Sequence, residues 1–475
     1  LEDSQGIPLL HKLIEHKKKN PISFHVPGHK NGQVFPSHSE DLFKSILSID
    51  LTEITELDDL YVPEGAIKQA QILAAEWFQV DASYFLVNGS TVGNLIMIMA
   101  TCGPGDLVLV QRNCHKSILN GLELSGAKPI FLTPEYDTEV NRYGAPSTKT
   151  LEEAIHKYTN IKALILTYPD YFGRTYPLKE KIELAHAQKI PVLIDEAHGV
   201  HFSLPFIDQP SAIELGADIV VQSAHKMAPA MTMAAYLHIN SAYVNKERVE
   251  HYYQMLQSSS PSYPIMASLD VARFYLQNFK AEQMTNLQES IDLIKNELEA
   301  CDYVKVLETT SLDDPLKITL ETINGVSARE VARLFEKEGI YPELVTTNQI
   351  LLIVGLEPYI DLESLKKSIK SVNKQLILQP KHDTINKYTE LFISKIQTLH
   401  YAYNEMRSME TKIEKLEEAI GEVAAEQIIP YPPGIPLIAK GEKITKNQVD
   451  HIVELLNKGV SFQPRDVKKG IRIFL

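Results

Sequence analysis

Asp218-Ile219-Val220-Val221-Gln222-Ser223-Ala224-His225-Lys226 decides the reading of this chain. An apolar run short enough for a buried strand ends in a hydroxyl, an imidazole and a single lysine. Upstream, Val192-Leu193-Ile194-Asp195-Glu196-Ala197-His198-Gly199 has the same design, with an aspartate closing the run. Continuous apolar runs of four or five residues between helical spacers read as strands of a parallel sheet buried on both faces. Taken singly, Lys226 reads as a snorkelling surface side chain and Asp195 as a loop residue. Taken together, they stand at the C-terminal ends of strands, the edge where open α/β sheets bind ligands.

Two further segments end at the same kind of edge. Tyr84-Phe85-Leu86-Val87 is a short strand, Asn88-Gly89-Ser90-Thr91-Val92-Gly93-Asn94 a glycine turn, and Leu95–Ala100 a helical run. Strand, tight turn and helix N-terminus aim N–H groups and partial positive charge at one point, as an anion requires. Gly89 permits the turn, and Ser90 and Thr91 add hydroxyl donors. An ordinary N-cap would use the same residue types. His115 follows the strand Asp106–Val110; its ring suits a helix cap, a solvated loop or the face of a flat ligand. A lysine, a buried-strand aspartate, an anion cradle and a flat ring together meet the needs of pyridoxal phosphate (PLP). The lysine forms a Schiff base with the aldehyde, and the aspartate pairs with the pyridine nitrogen.

The gross numbers exclude several classes. A formal net charge of −14 argues against a nucleic-acid surface, which needs clustered Lys and Arg. The run His16-Lys17-Lys18-Lys19 reads as the solvated end of a first helix, Pro8–His16. Cys102, Cys114 and Cys301 lack metal-ligand spacing and cannot all pair, which suits a reducing cytoplasm. No stretch reaches the ~18 apolar residues of a membrane helix, and no secretory leader is recognisable. A soluble cytoplasmic protein is expected.

The length calls for more than one core. The pattern divides it into an N-terminal arm over 1–50, a large cofactor-binding domain over 51–285, a small α+β domain over 286–375 and a C-terminal α+β domain over 376–475. The helix Ala66–Phe78 precedes seven strands, at 83–87, 106–110, 128–132, 162–167, 191–195, 218–222 and 234–239. Their spacing suits right-handed crossovers and a mostly parallel seven-stranded sheet. Beyond a helical stretch at 262–300 come strands at 304–307, 316–320 and 350–354 and helices at 328–338 and 362–372. A linker at 373–385 follows, then helices at 386–400, 410–420 and 446–457 and a closing strand Ile471–Phe474.

The motifs resemble a known family. His25-Val26-Pro27-Gly28-His29-Lys30-Asn31-Gly32, Glu56–Gly65, Asp195–Gly199, Ser223–Lys226, Gln257–Tyr263 and Tyr431-Pro432-Pro433-Gly434-Ile435-Pro436 are similar to those of the group III, PLP-dependent Orn/Lys/Arg decarboxylases of fold type I, the aspartate-aminotransferase-like fold. The resemblance runs over almost the whole chain, and implies a short form without the family's N-terminal wing domain. It implies that Lys226 carries the cofactor, Asp195 holds the pyridinium, His115 stacks on the ring and His198 approaches the phenolic oxygen. Gly89, Ser90, Thr91, Ser223 and His225 would surround the phosphate. Ser259 would reach the phosphate of a neighbouring subunit, giving a homodimer with shared sites, or a tetramer. The implied activity is decarboxylation of lysine, arginine or ornithine toward polyamines.

Some positions depart from the pattern. Met227–Met233 is more apolar than in relatives, Asp170 and Arg174 replace small neutral residues, and Tyr61 replaces a common histidine. Glu426 is a candidate partner for a basic substrate group. Arg112 and Arg174 are the only arginines in the cofactor motifs, so the residues alone leave decarboxylase and aminotransferase chemistry open. Two other readings stand beside the leading one: a PLP enzyme acting on another amino substrate, and a decarboxylase-like protein without turnover.

Overall fold

Strands rich in Val, Ile and Leu form where the apolar runs predict them, because both faces of each are covered. The computed structural model describes residues 6–378, 392, 394–431, 434–457, 459–463 and 466–475. The chain forms two compact units: 1–102, 162–168 and 178–279 make up the first, and 103–161, 169–177 and 280–475 the second.

In the first unit five strands lie in the order Ala82–Leu86, Ala235–Ile239, Ile219–Gln222, Val192–Asp195, Ile161–Thr167. The last three are mutually parallel, with Asp195 opposite both Val221 and Thr167. Ala235–Ile239 runs antiparallel to both of its neighbours. Ala82–Leu86 therefore points the same way as the parallel set. Its end, the ends of Val192–Asp195 and Ile219–Gln222, and the start of Ala235–Ile239 all fall on one sheet edge. That topology, rather than sequence proximity, brings the motifs together.

Helix Gly89–Thr101 packs on this sheet through Gly93. A Cβ at Gly93 would stand 2.6 Å from Val221 Cγ1 and 2.7 Å from Leu86 Cδ1. Gly93→Ala should force the helix off the sheet and cost about 1–3 kcal/mol. A thermal melt checks this; an unchanged Tm would contradict the close approach. The first helix, Pro8–Lys18, buries Leu9 and Leu13. Asp270 accepts the Leu9 N–H at 2.9 Å and pairs with Arg273 at 2.7 Å.

In the second unit Leu107–Gln111 and Lys128–Leu132 pair in parallel. A four-stranded antiparallel sheet, in the order Val304–Val306, Lys317–Thr322, Gln349–Ile353, Leu344–Val345, carries helices Ala281–Glu299, Ala328–Lys337 and Leu362–Ile377. Ala419, Ala424, Ile428, Ile438, Ile452, Val467 and Ile471 form the core of the C-terminal part around helix Lys446–Asn457.

All seven predicted strands form, and most of the C-terminal differences trace to pairing between distant segments. Ile396–Thr398, predicted helical within 386–400, is an eighth strand, antiparallel to Lys128–Leu132. Thr411–Glu414, predicted helical within 410–420, pairs instead with Ile471–Phe474. Propensity yields there to a partner far along the chain. The 373–385 linker is helical to Ile377, and 379–385 lie outside the described residues, as do most of 386–393. No helix among the described residues is long and apolar enough to cross a membrane.

Candidate active site

Ser223 and Ser90 meet because their strands end on the same edge. The Ser223 hydroxyl lies 2.7 Å from that of Ser90 in the first turn of helix Gly89–Thr101. Gly89 adopts a left-handed φ of 75°, and a Cβ there would meet nothing within 4 Å. Its own N–H is taken by the Met233 carbonyl at 2.9 Å, so Gly89 supplies the turn and leaves donation to later amides. Thr91 is exposed in the same turn.

Asp195 is 3% exposed and held by two donors. Asn94 Nδ2 donates to its Oδ2 at 2.9 Å, and the Ala197 N–H to its Oδ1 at 3.3 Å. Asn94 went unnoticed in the sequence. Its signal was there: a polar residue at the head of an apolar helix, itself buried. Lys226 sits in the one-turn helix Ala224–Met227, its Nζ 3.0 Å from His198 Nε2. An ammonium only donates, so His198 Nε2 accepts and the ring proton lies on Nδ1. His225 Nδ1 donates to the Ala234 carbonyl at 2.9 Å, and burial, ahead of the Lys226 charge, holds its pKa below the usual value.

Glu196, also unassigned from sequence, lies beneath the edge. It is fully buried and accepts from Ala212 N–H and Gln222 Nε2, each at 2.7 Å. Gln222 Oε1 in turn accepts from His238 Nε2 at 3.0 Å. Gly199 leaves room for this carboxyl, since a Cβ there would stand 2.5 Å from Glu196 Cγ. Burial raises the Glu196 pKa to about 8 and lowers that of His238 to about 3. A carboxyl with a raised folded pKa contributes stability that is complete below its ordinary value near 4.5 and is lost as pH rises through 8. Glu196→Gln should remove that dependence. Denaturant midpoints at pH 5.5 and 8 should show wild type losing on the order of 3 kcal/mol that the variant keeps.

Ser259 is exposed in a loop anchored beside the cradle. Val87 N–H donates to Gln257 Oε1 at 2.9 Å, and the Tyr61 hydroxyl donates to the Ser258 carbonyl. Tyr61, one of the departures, thus braces this loop, and burial pushes its phenol up to about 12. His115 belongs to the second unit. It caps helix Lys116–Ser125, its Nδ1 accepting from the Ser117 N–H at 3.3 Å and lying 2.8 Å from the Ser117 hydroxyl. Its Nε2 therefore carries the proton of the neutral ring.

The departures at Asp170 and Arg174 form an ion network in the second unit. Arg174 reaches Asp313 at 2.9 Å, Asp137 at 3.1 Å and Glu139 at 3.4 Å, while Asp170 closes the turn by accepting the Arg174 N–H at 2.8 Å. Glu426 accepts the Arg472 N–H at 2.8 Å. Pro432 and Pro433 of the proline turn lie outside the described residues. No cluster of metal-ligating side chains occurs among the described residues.

The Orn/Lys/Arg decarboxylase major-domain model matches residues 7–321. The chain belongs to that family. The model of the family's C-terminal domain matches 382–463. Among relatives of this decarboxylase-family chain, the uncharacterized protein YaaO of Bacillus subtilis is 43% identical, over 95% of this chain and 94% of its own. An arginine decarboxylase of the same organism is 35% identical, over 97% and 96%. The fold is that of the Francisella novicida lysine decarboxylase LdcF, with a TM-score of 0.80 at 21% identity, covering 98% of this chain and 81% of that one. The α/β, fold type I reading therefore stands.

Proposed function

We propose that the chain is a PLP-dependent decarboxylase of a basic amino acid: arginine, lysine or ornithine. The observation that carries the reading is the pairing of Lys226 with His198 and of Asp195 with Asn94, on one sheet edge beside a hydroxyl-lined helix N-terminus. The donor set fits the cofactor: hydroxyls and amides for a phosphate, a fixed carboxylate for a ring N–H, and an amine for an aldehyde. When bound, PLP supplies a protonated ring that accepts the electron pair left as the bond from Cα to the carboxylate breaks.

The chain's residues do the rest. His198 takes a proton from Lys226 Nζ, leaving a nucleophilic amine. Asn94 and the Ala197 N–H keep Asp195 oriented, so that its carboxyl group would face the ring nitrogen and pair with its proton. Ser90, Thr91 and Ser223 offer donors to the phosphate. His225 can add one only through Nε2–H, because its Nδ1–H already serves Ala234; it must then be protonated. His115 is assigned to the ring face on the family resemblance alone.

Decarboxylation is favoured over amino transfer by the two arginines of the cofactor motifs. Arg112 is fully buried against Glu442, and Arg174 is engaged by three carboxylates. Neither is available to clamp a substrate α-carboxylate as aminotransferases generally do. A basic substrate is supported by the arginine decarboxylase relative.

A homodimer is part of the proposal, with Ser259 of one subunit completing the phosphate site of the next. Ile22, Phe24 and Leu42 are 85%, 93% and 84% exposed, an apolar arm suited to another subunit. Assaying arginine, lysine and ornithine side by side with added PLP tests the reading. Equimolar CO₂ and amine from at least one is expected. A keto acid without CO₂ would replace it with amino transfer, and no product from any would reject it.

A further inference from the structure

We infer that Gln257 is a positioning residue: its side-chain amide pins the end of strand Ala82–Leu86 and so fixes the turn proposed to hold the cofactor phosphate. The inference rests on the function proposed above and concerns only its phosphate contact.

Ala82–Leu86 is the outermost strand of its sheet, paired on one side with Ala235–Ile239. No strand among the described residues pairs with its other side, yet residues 83–87 are all buried. Buried N–H and carbonyl groups need partners, and two side chains from one segment supply them. Tyr253, in helix Lys246–Leu256, donates its hydroxyl to the Phe85 carbonyl at 2.8 Å. Gln257, the first residue beyond that helix, accepts the Val87 N–H through Oε1 at 2.9 Å. Phe85 and Val87 stand two residues apart, so their polar groups leave the strand on the same side. Tyr253 and Gln257, both buried, thus act in place of a neighbouring strand.

The turn begins immediately after this pin. Asn88 Oδ1 lies 3.5 Å from the Ser258 amide nitrogen, and the Gly89 N–H donates to the Met233 carbonyl at 2.9 Å. The Ser90 hydroxyl then lies 2.7 Å from that of Ser223. Because peptide units are rigid, a shift of Val87 passes through Asn88 and Gly89 to Ser90. Without the Gln257 oxygen, the buried Val87 N–H would have to turn toward another acceptor, carrying Ser90 away from Ser223.

Pyridoxal shares every feature of PLP except the phosphate, and this separates a positioning role from a structural one. A residue that only holds the fold together affects the binding of both alike. A residue that shapes the phosphate turn affects PLP alone.

The test uses the full chain stripped of cofactor, as wild type, as Gln257→Met and, for a surface control, as Met255→Ala, whose side chain is exposed on the same helix. Methionine is close to glutamine in length but offers Val87 no oxygen. Dissociation constants for PLP and pyridoxal are measured by absorbance titration, together with the phosphorus NMR line of bound PLP and Tm. Gln257→Met should weaken PLP binding at least about tenfold, the scale of one lost buried hydrogen bond, and pyridoxal binding by less than about twofold. Its phosphorus line should move toward that of free PLP. Met255→Ala should match wild type throughout.

Equal weakening of PLP and pyridoxal, whatever the Tm, would overturn the proposal, as would no change in either. Should Gln257→Met fail to fold, Gln257→Asn, an amide one methylene shorter, decides by the same criteria. A wild type that binds pyridoxal as tightly as PLP would reject the phosphate site of the proposed function, and this inference with it. A wild type that prefers PLP, beside a variant that keeps the full preference, would reject the inference alone.

Discussion

Lys226→Ala should abolish amine formation, lowering kcat by about 10⁴-fold or more, a barrier increase of ~5.5 kcal/mol. The residue does two things that no neighbour can share. Its Nζ lies 3.0 Å from His198 Nε2, the neighbour proposed to take its proton. It also stands one helical turn after Ser223, whose hydroxyl meets that of Ser90. Those hydroxyls survive in the variant, which should still bind PLP, though without the covalent link. A colourless variant with normal dialysis loss, but intact turnover, would exclude Lys226 from the reaction.

The second large effect is expected from Asp195→Asn. The side chain keeps its shape and its place beside Asn94, but an amide cannot hold a proton on a pyridine nitrogen. The cost should resemble that of other electrostatic contacts made in transition states, about 3–4 kcal/mol or 10²–10³-fold in kcat. PLP affinity should change far less, because the hydroxyls proposed to hold the phosphate are untouched. Near-normal turnover would remove the pyridinium role from Asp195. Asn94→Ala, which frees one carboxylate oxygen of its 2.9 Å donor, should fall between the variant and wild type.

Much of this site was legible because its signals are local. Ser223–Lys226, Asp195–Gly199 and the turn after Val87 each announce a strand end by an apolar run followed by polar residues. Other buried polar residues were hidden because their partners are remote in sequence. Asn94 reads as the last residue of a glycine turn until Asp195 is placed 2.9 Å away. Glu196 reads as the solvated neighbour of Asp195 until Ala212 and Gln222 are found around it. Arg112 reads only as an arginine within the cofactor motifs until Glu442 appears 2.6 Å from it.

The fold divides along the same line. Residues 83–87 through 234–239 declare their strands by β-branched composition and covered faces. The C-terminal strands Ile396–Thr398 and Thr411–Glu414 do not, since neither contains a fully buried residue and each takes its state from a distant partner. Lys and Glu in the second of these favour a helix locally, and pairing with Ile471–Phe474 prevails.

Borohydride reduction of the PLP-incubated protein, followed by peptide mapping, tests the central claim most directly. One pyridoxyl group per chain is expected, on the peptide that contains Ser223-Ala224-His225-Lys226. A reduced adduct on any other lysine, or none despite saturating PLP, would contradict it.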